Sequence, residues 1–247
     1  MSDSTLLADE KRSSLKSSSF IGYLLMSFLT AVNDNMYRWL IIPIAKAQLL
    51  SKGLSPEQLK SDESLILSLG LGSLVLPFVI FAPWSSWLAD RFSKRTITIW
   101  LKVAEVILVA IGVWSISTGH QPTMFAVLFL LGTQSALLST SKYGIISELV
   151  PRTSLSAANG LVALVTLVAA IVGAGAGMEL AARTLESGSL TLATYALEIV
   201  AVVGVMGSLM MQRVQSANPT LEFPWNPVQY SWRDMKLVIS DRPILRV

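Results

Sequence analysis

Six stretches of this chain are each long and apolar enough to lie across a lipid bilayer as a helix, and few architectures accommodate that pattern. A hydrocarbon core of about 30 Å takes roughly 20 helical residues. The stretches run Phe20–Ala45, Leu65–Trp87, Thr96–Ser117, Thr123–Tyr143, Leu155–Leu180 and Leu190–Met211. Each is too long for a strand, and the segments between them are short. Only 14% of the 247 residues are charged, against about 25% in soluble domains. The expected fold class is therefore an all-α membrane protein with six transmembrane helices.

The first stretch follows a polar, serine-rich lead-in of residues 1–19. It exceeds the ~7–15 residues of a signal-peptide core and has no small-residue cleavage site, so it reads as a retained span. Residues 20–212 then form the bundle and 213–247 a tail. The charges set an orientation. Lys11, Arg12 and Lys16, then Arg91, Lys94 and Arg95, then Lys142 and Arg152, then Arg213, Arg233, Lys236, Arg242 and Arg246 fall on one side. Lys46, Lys52, Lys60 and Arg183 fall on the other, diluted by Glu57, Asp62, Glu63, Glu179 and Glu186. Lysine and arginine concentrate on the cytoplasmic side of membranes, so both termini are expected there. In the tail, Pro219, Pro224 and Pro227 favour extended chain. Trp232, Met235 and Ile239 share one helical face, which suits either a short helix on the inner membrane surface or a solvated linker.

Several function classes drop out. The chain has no cysteine, which removes disulfides and thiolate metal sites. His120 is the only histidine. No G-x-S-x-G, H-x4-D or phosphate-cradling loop occurs, so no enzyme, metal or cofactor is expected. The small net charge of +3 comes from loops without interleaved aromatics, so no nucleic-acid partner is expected. Gly173, Gly175 and Gly177 lack the spacing and strand of a dinucleotide loop, and read as close helix packing. Gly70, Gly72, Gly204 and Gly207 read the same way. Trp84, Trp87 and Trp100 lie near span ends, as interfacial anchors do.

The informative residues are polar ones at membrane depth. Asn33-Asp34-Asn35, with Arg38, interrupt the first stretch. An ionisable group there costs at least ~2.5 kcal/mol and should face the bundle interior or a wet cavity. Asp34 and Arg38 are four apart and can pair across one helical turn. They read either as a headgroup or cation site or as a pin between helices. Lys102 and Glu105 form a second polar pair in the third stretch, with the same two readings. Lys142 and Tyr143 close the fourth stretch and Asn159 opens the fifth. Lys142 can meet a phosphate as a point charge or snorkel to the interface. Asn159 can bind a ligand through its donor and acceptor, or cap its helix. Glu198 stands alone midway along the sixth stretch.

Two segments carry a family resemblance. Leu88-Ala89-Asp90-Arg91-Phe92-Ser93-Lys94-Arg95 resembles the loop signature of the major facilitator superfamily, G-x-x-x-D-R-x-G-R-K, with Ser86 and Ser93 at the glycine positions. Ser141-Lys142-Tyr143-Gly144-Ile145-Ile146-Ser147-Glu148-Leu149, followed by Ala158-Asn159-Gly160, resembles the A-K-Y-G-I-L-x-E-L and A-N-G elements of bacterial lysophospholipid transporters. Thr140-Ser141 replaces their usual Pro-Ala. Asp34-Asn35 and Leu101-Lys102 fit the same family.

The resemblance implies one half of a major facilitator fold, built of two three-helix repeats, in the bacterial inner membrane. It implies inward movement of lysophospholipids such as lysophosphatidylethanolamine for re-acylation. Asn33, Asp34, Asn35, Arg38, Lys102, Glu105, Lys142, Tyr143 and Asn159 would line the substrate site. Asp90, Arg91, Lys94 and Arg95 would gate it. Implied partners are membrane lipids, the substrate, a C-terminal half of the transporter and a fused or separate acyltransferase. The chain is then expected to be a fragment, ending within the linker between halves. A carrier of another solute and a membrane anchor for an acyltransferase are the alternatives.

Overall fold

The computed structural model describes residues 14–53 and 55–227, together with 232 and 236. Six long helices account for most of them: α1 (Ser18–Leu50), α2 (Pro56–Arg91), α3 (Lys94–Ser117), α4 (Gln121–Gly144), α5 (Leu155–Ser187) and α6 (Thr191–Leu209). A single turn, Ile146–Leu149, and a 3-10 turn, Arg152–Ser154, join α4 to α5. No strand occurs among the described residues. Lys11, Arg12, Arg233, Met235, Ile239, Arg242 and Arg246 lie outside them, and with them the tail helix expected around Trp232.

The helices outrun the apolar stretches because their ends are built by polar capping. Ser17 accepts the Phe20 amide at the start of α1. Ser55 and Gln58 form a reciprocal capping box at α2, with Pro56 at the first helical position. Gly188, at φ +67°, takes the left-handed conformation that ends α5.

Hydropathy corrects one expectation. Five helical segments are long and apolar enough to cross a membrane, and α1 is not among them. Its Asn33-Asp34-Asn35 and Arg38 interrupt the apolar run. Yet α1 is the most enclosed helix, with Tyr23, Met26, Met36, Tyr37, Leu40 and Ile41 buried. The outer surface belongs instead to α2, α3, α5 and α6. Val79, Trp100, Ile107, Leu167, Ile171 and Ile199 stand more than half exposed along it. A belt of that size on a helix bundle faces lipid, and the chain is a multi-pass, all-α membrane protein.

Packing follows a two-fold exchange. α1 packs closely on α5, and α2 on α4. α1 meets α6 as α4 meets α3, and α3 meets α6. Exchanging α1, α2 and α3 for α4, α5 and α6 leaves these contacts in place, as expected of two three-helix repeats. Glycines allow the two closest approaches. A Cβ on Gly173 or Gly177 of α5 would stand 2.4 Å from the Val32 or Met36 carbonyl oxygen of α1. On Gly132 of α4 it would stand 2.5 Å from the Ser73 oxygen of α2. The close-packing reading also fits Gly70, Gly204 and Gly207. It does not fit Gly175, whose Cβ position is open, or Gly72, which has room for a side chain.

Candidate functional site

Asn33 and Asp34 are neighbours on α1, about 100° apart around the helix, and they enter different surroundings. Asn33 points into a network centred on Glu105 of α3, its own Oδ1 buried without a hydrogen-bond partner among the described residues. Its Nδ2 donates to Glu105 Oε1 at 2.9 Å. Lys102 Nζ donates to Oε2 at 2.5 Å and to Thr30 Oγ1 at 3.2 Å. Gln134 of α4 donates to Oε2 at 3.2 Å and to the Leu101 carbonyl at 3.3 Å. Asn33, Lys102 and Glu105 are fully buried. An ion pair at that depth persists only with further hydrogen bonds to its charges. Here the carboxylate has three donors from three helices. On α6, Gly204 leaves room for the lysine; a Cβ there would stand 2.6 Å from Lys102 Cε.

Asp34 points instead to a cavity of about 170 Å³. Thr30, Asp34 and Asn35 of α1, Phe78 of α2, Ser135, Ser139, Lys142 and Tyr143 of α4 and Thr166 of α5 contribute to its walls. Ser135 Oγ donates to Asp34 Oδ2 at 2.5 Å. Asp34 Oδ1 and Thr166 Oγ1 are buried with no partner among the described residues. Lys142 is 9% exposed, and its ammonium lies 5.8 Å from the Tyr143 ring centre. Tyr23 bonds the Lys142 carbonyl at 3.0 Å and steadies that turn of α4. The cavity thus presents a carboxylate and an ammonium among hydroxyls, with acceptor capacity unused.

Gln134 and Ser135 join the two clusters. The Gln134 amide nitrogen faces two acceptors, which fixes its oxygen toward Ser135 Oγ at 3.2 Å. The serine has one proton for two acceptors and lies closer to the carboxylate.

The nine site residues expected from sequence therefore divide. Asp34, Asn35, Lys142 and Tyr143 line the cavity, whereas Asn33, Lys102 and Glu105 form the network beside it. Arg38 does not pair with Asp34. It donates to Asn35 Oδ1 at 3.2 Å and lies 5.3 Å from the Trp39 ring centre. Asn159 is exposed, away from the cavity walls, and does not cap α5, whose N-cap is Ser154. Thr30, Phe78, Gln134, Ser135, Ser139 and Thr166 were not singled out from the sequence. Gln134-Ser135, a polar pair inside an apolar run, was the available signal.

The model of the Major Facilitator Superfamily matches residues 20–245. The chain belongs to that superfamily. Its similar relatives include proteins named lysophospholipid transporter LplT. That of Serratia proteamaculans is 29% identical over 215 residues, covering 87% of this chain and 48% of the relative. That of Pectobacterium carotovorum is 27% identical over 238 residues, covering 91% and 52%. A protein of the same name from Escherichia coli is 30% identical over 168 residues, 68% of this chain and 38% of the relative. The chain spans about half the length of the first two of these curated relatives.

The segment that resembles the superfamily's loop signature lies at the junction of α2 and α3. Lys94, largely buried, pairs with Glu148 on the turn after α4. Arg95 donates to the Leu209 carbonyl at the end of α6, at 2.9 Å. Arg91 lies over the Phe92 ring at 6.0 Å. Asp90 is exposed, and its carboxylate makes no ion pair among the described residues, although its backbone oxygen accepts the Asn218 amide. Lys94 and Arg95 thus tie α3 to the ends of α4 and α6, while Asp90 is exposed and Arg91 half-buried.

Proposed function

We propose that this chain is the N-terminal half of a transporter that moves lysophospholipids across the bacterial inner membrane. The observation that carries the reading is the cavity between α1 and α4, where Asp34 and Lys142 stand on the same wall system with hydroxyls between them. A zwitterionic headgroup presents a phosphate and an ammonium a few bonds apart. Lys142 would receive the phosphate, and the free Oδ1 of Asp34 the ammonium. Asn35, Ser139 and Thr166 would bond the remaining oxygens. The names of the relatives support the substrate class. In this reading α1 is the sixth span, stable in the membrane because protein rather than lipid surrounds its polar turn. Both termini lie on the cytoplasmic side.

A lysophospholipid is larger than the cavity. The acyl chain would therefore extend beyond it, along apolar surface that this half shares with a second one. Asp90 and Arg91 would meet that second half and gate the inner opening, with Lys94 and Arg95 holding the helix ends in place. Re-acylation would fall to an acyltransferase, fused or separate.

The test is uptake of labelled lysophosphatidylethanolamine into spheroplasts lacking their own carrier and expressing the whole gene that encodes this chain. Uptake that is lost in both Asp34→Ala and Lys142→Ala, at unchanged protein level, is the expected result. No uptake by well-expressed native protein would sink the substrate assignment in favour of another solute or an anchoring role. Unimpaired uptake in the two variants would move the site elsewhere.

A further inference from the structure

After α6 the chain returns across one end of the bundle and ties itself to the end of α2. The Asn218 amide donates to the Asp90 carbonyl at 2.8 Å, and Trp87 Nε1 donates to the Leu221 carbonyl at 3.4 Å. Between these ties and residue 225 runs a chain of aromatic contacts. Trp87 meets Phe92 edge-on at 5.6 Å between ring centres and Phe223 at 4.9 Å, and Phe223 meets Trp225 at 5.0 Å. Pro224 is buried, and the residues on either side of it turn outward. Trp225 is 88% exposed, and its indole N–H has no partner among the described residues.

We propose that residues 221–225 form a strap that seats Phe223 and Trp225 in the lipid headgroup layer beside the end of α2. Depth is the first argument. The apolar part of α2, from Leu65 to Trp87, rises ~34 Å, close to the ~30 Å of a hydrocarbon core. Trp87 therefore stands where α2 leaves the hydrocarbon, and the rings stacked on it stand in the adjoining polar layer. Chemistry is the second. A tryptophan with an apolar ring and a free N–H suits that layer, where the ring is shielded and a phosphate or ester oxygen accepts the proton. Charge sets the character of the contact. Arg91 is offset by Asp90 and Glu222, so the strap carries no basic excess and its attachment depends on ring burial rather than on anionic lipid.

The chain has no cysteine, which makes single-site labelling direct. The whole gene product, with cysteines elsewhere replaced by serine, would carry an environment-sensitive nitrobenzoxadiazole label at Trp225→Cys, Phe223→Cys or Ala217→Cys. It would be reconstituted in phosphatidylcholine vesicles containing nitroxide lipids. Labels at 225 and 223 are expected to emit at shorter wavelength than the label at 217. Nitroxides near the headgroup should quench them more strongly than nitroxides deep in the acyl chains, at low and high salt alike. Adding Trp87→Ala should return the label at 225 toward a water-like spectrum. A water-like spectrum at 225 and 223 in the parent would overturn the proposal. So would a blue-shifted label that no lipid nitroxide reaches, which would place protein over the strap, or quenching unaffected by loss of Trp87.

Discussion

The Glu105 network and the Asp34 cavity lie side by side and share α1 and α4, and they spend their polar groups differently. Around Glu105 both carboxylate oxygens are taken and the lysine is paired. Around Asp34 one carboxylate oxygen is bonded and the other has no partner among the described residues. The contrast separates two meanings of an ionisable residue at membrane depth. A group whose partners are all protein holds the helices together. A carboxylate with a buried oxygen left over beside a cavity has capacity for something that arrives.

Removing charge from the Glu105 cluster should do the most damage. Glu105→Ala leaves Lys102 buried without its partner, a loss of roughly 3–5 kcal/mol. Thermal unfolding in detergent should show a large drop in the transition temperature, or no folded protein. Gly204→Ala attacks the same cluster from α6 by pressing on the lysine, and overpacking of this kind costs about 1–3 kcal/mol. A Lys102→Met background should relieve part of that cost. If Gly204→Ala is silent, the lysine is less confined than its contacts indicate.

Across the boundary the pattern should invert. Asp34→Ala is expected to leave the transition temperature near that of the native protein while lowering lysophospholipid uptake by about tenfold or more, the worth of a charge-assisted hydrogen bond. A comparable loss of stability in this variant would erase the distinction between the clusters. Ser135→Ala should have a smaller effect, about fivefold in uptake, since one neutral donor to the carboxylate is lost. Ser135→Thr, which keeps the hydroxyl, should recover most of it. Asn159→Ala, at an exposed position, should change stability by no more than about 0.5 kcal/mol. Under the present assignment it should also transport normally.

The sequence displayed one side of this contrast better than the other. Asp34, Lys102, Glu105 and Lys142 were visible because a charge in an apolar run is costly and therefore rare. Ser135, Ser139 and Thr166 were not, because hydroxyls can bond the helix backbone and occur throughout membrane spans. Spacing along one helix also misled. Asp34 and Arg38 are correctly placed to pair, but Arg38 bonds Asn35, and Ser135, 101 residues away in sequence, bonds one oxygen of the Asp34 carboxylate. Helix number was legible from the apolar stretches. The special status of α1, too polar for its hydropathy and yet central, followed only once its neighbours were seen to enclose it.

The glycine contacts also have a mechanical meaning. Where α5 meets α1, and α4 meets α2, backbone rests on backbone with no side chain between. Such seams behave as glued laminates: they resist shear because there is no rotamer to yield. Compliance in this bundle is then concentrated between the laminates rather than inside them. One link across that joint is the single hydrogen bond from Ser135 to Asp34. A ligand competing for that carboxylate would be acting on the joint between the laminates, which Tyr23 and Tyr37 also bridge through the Lys142 and Met124 carbonyls.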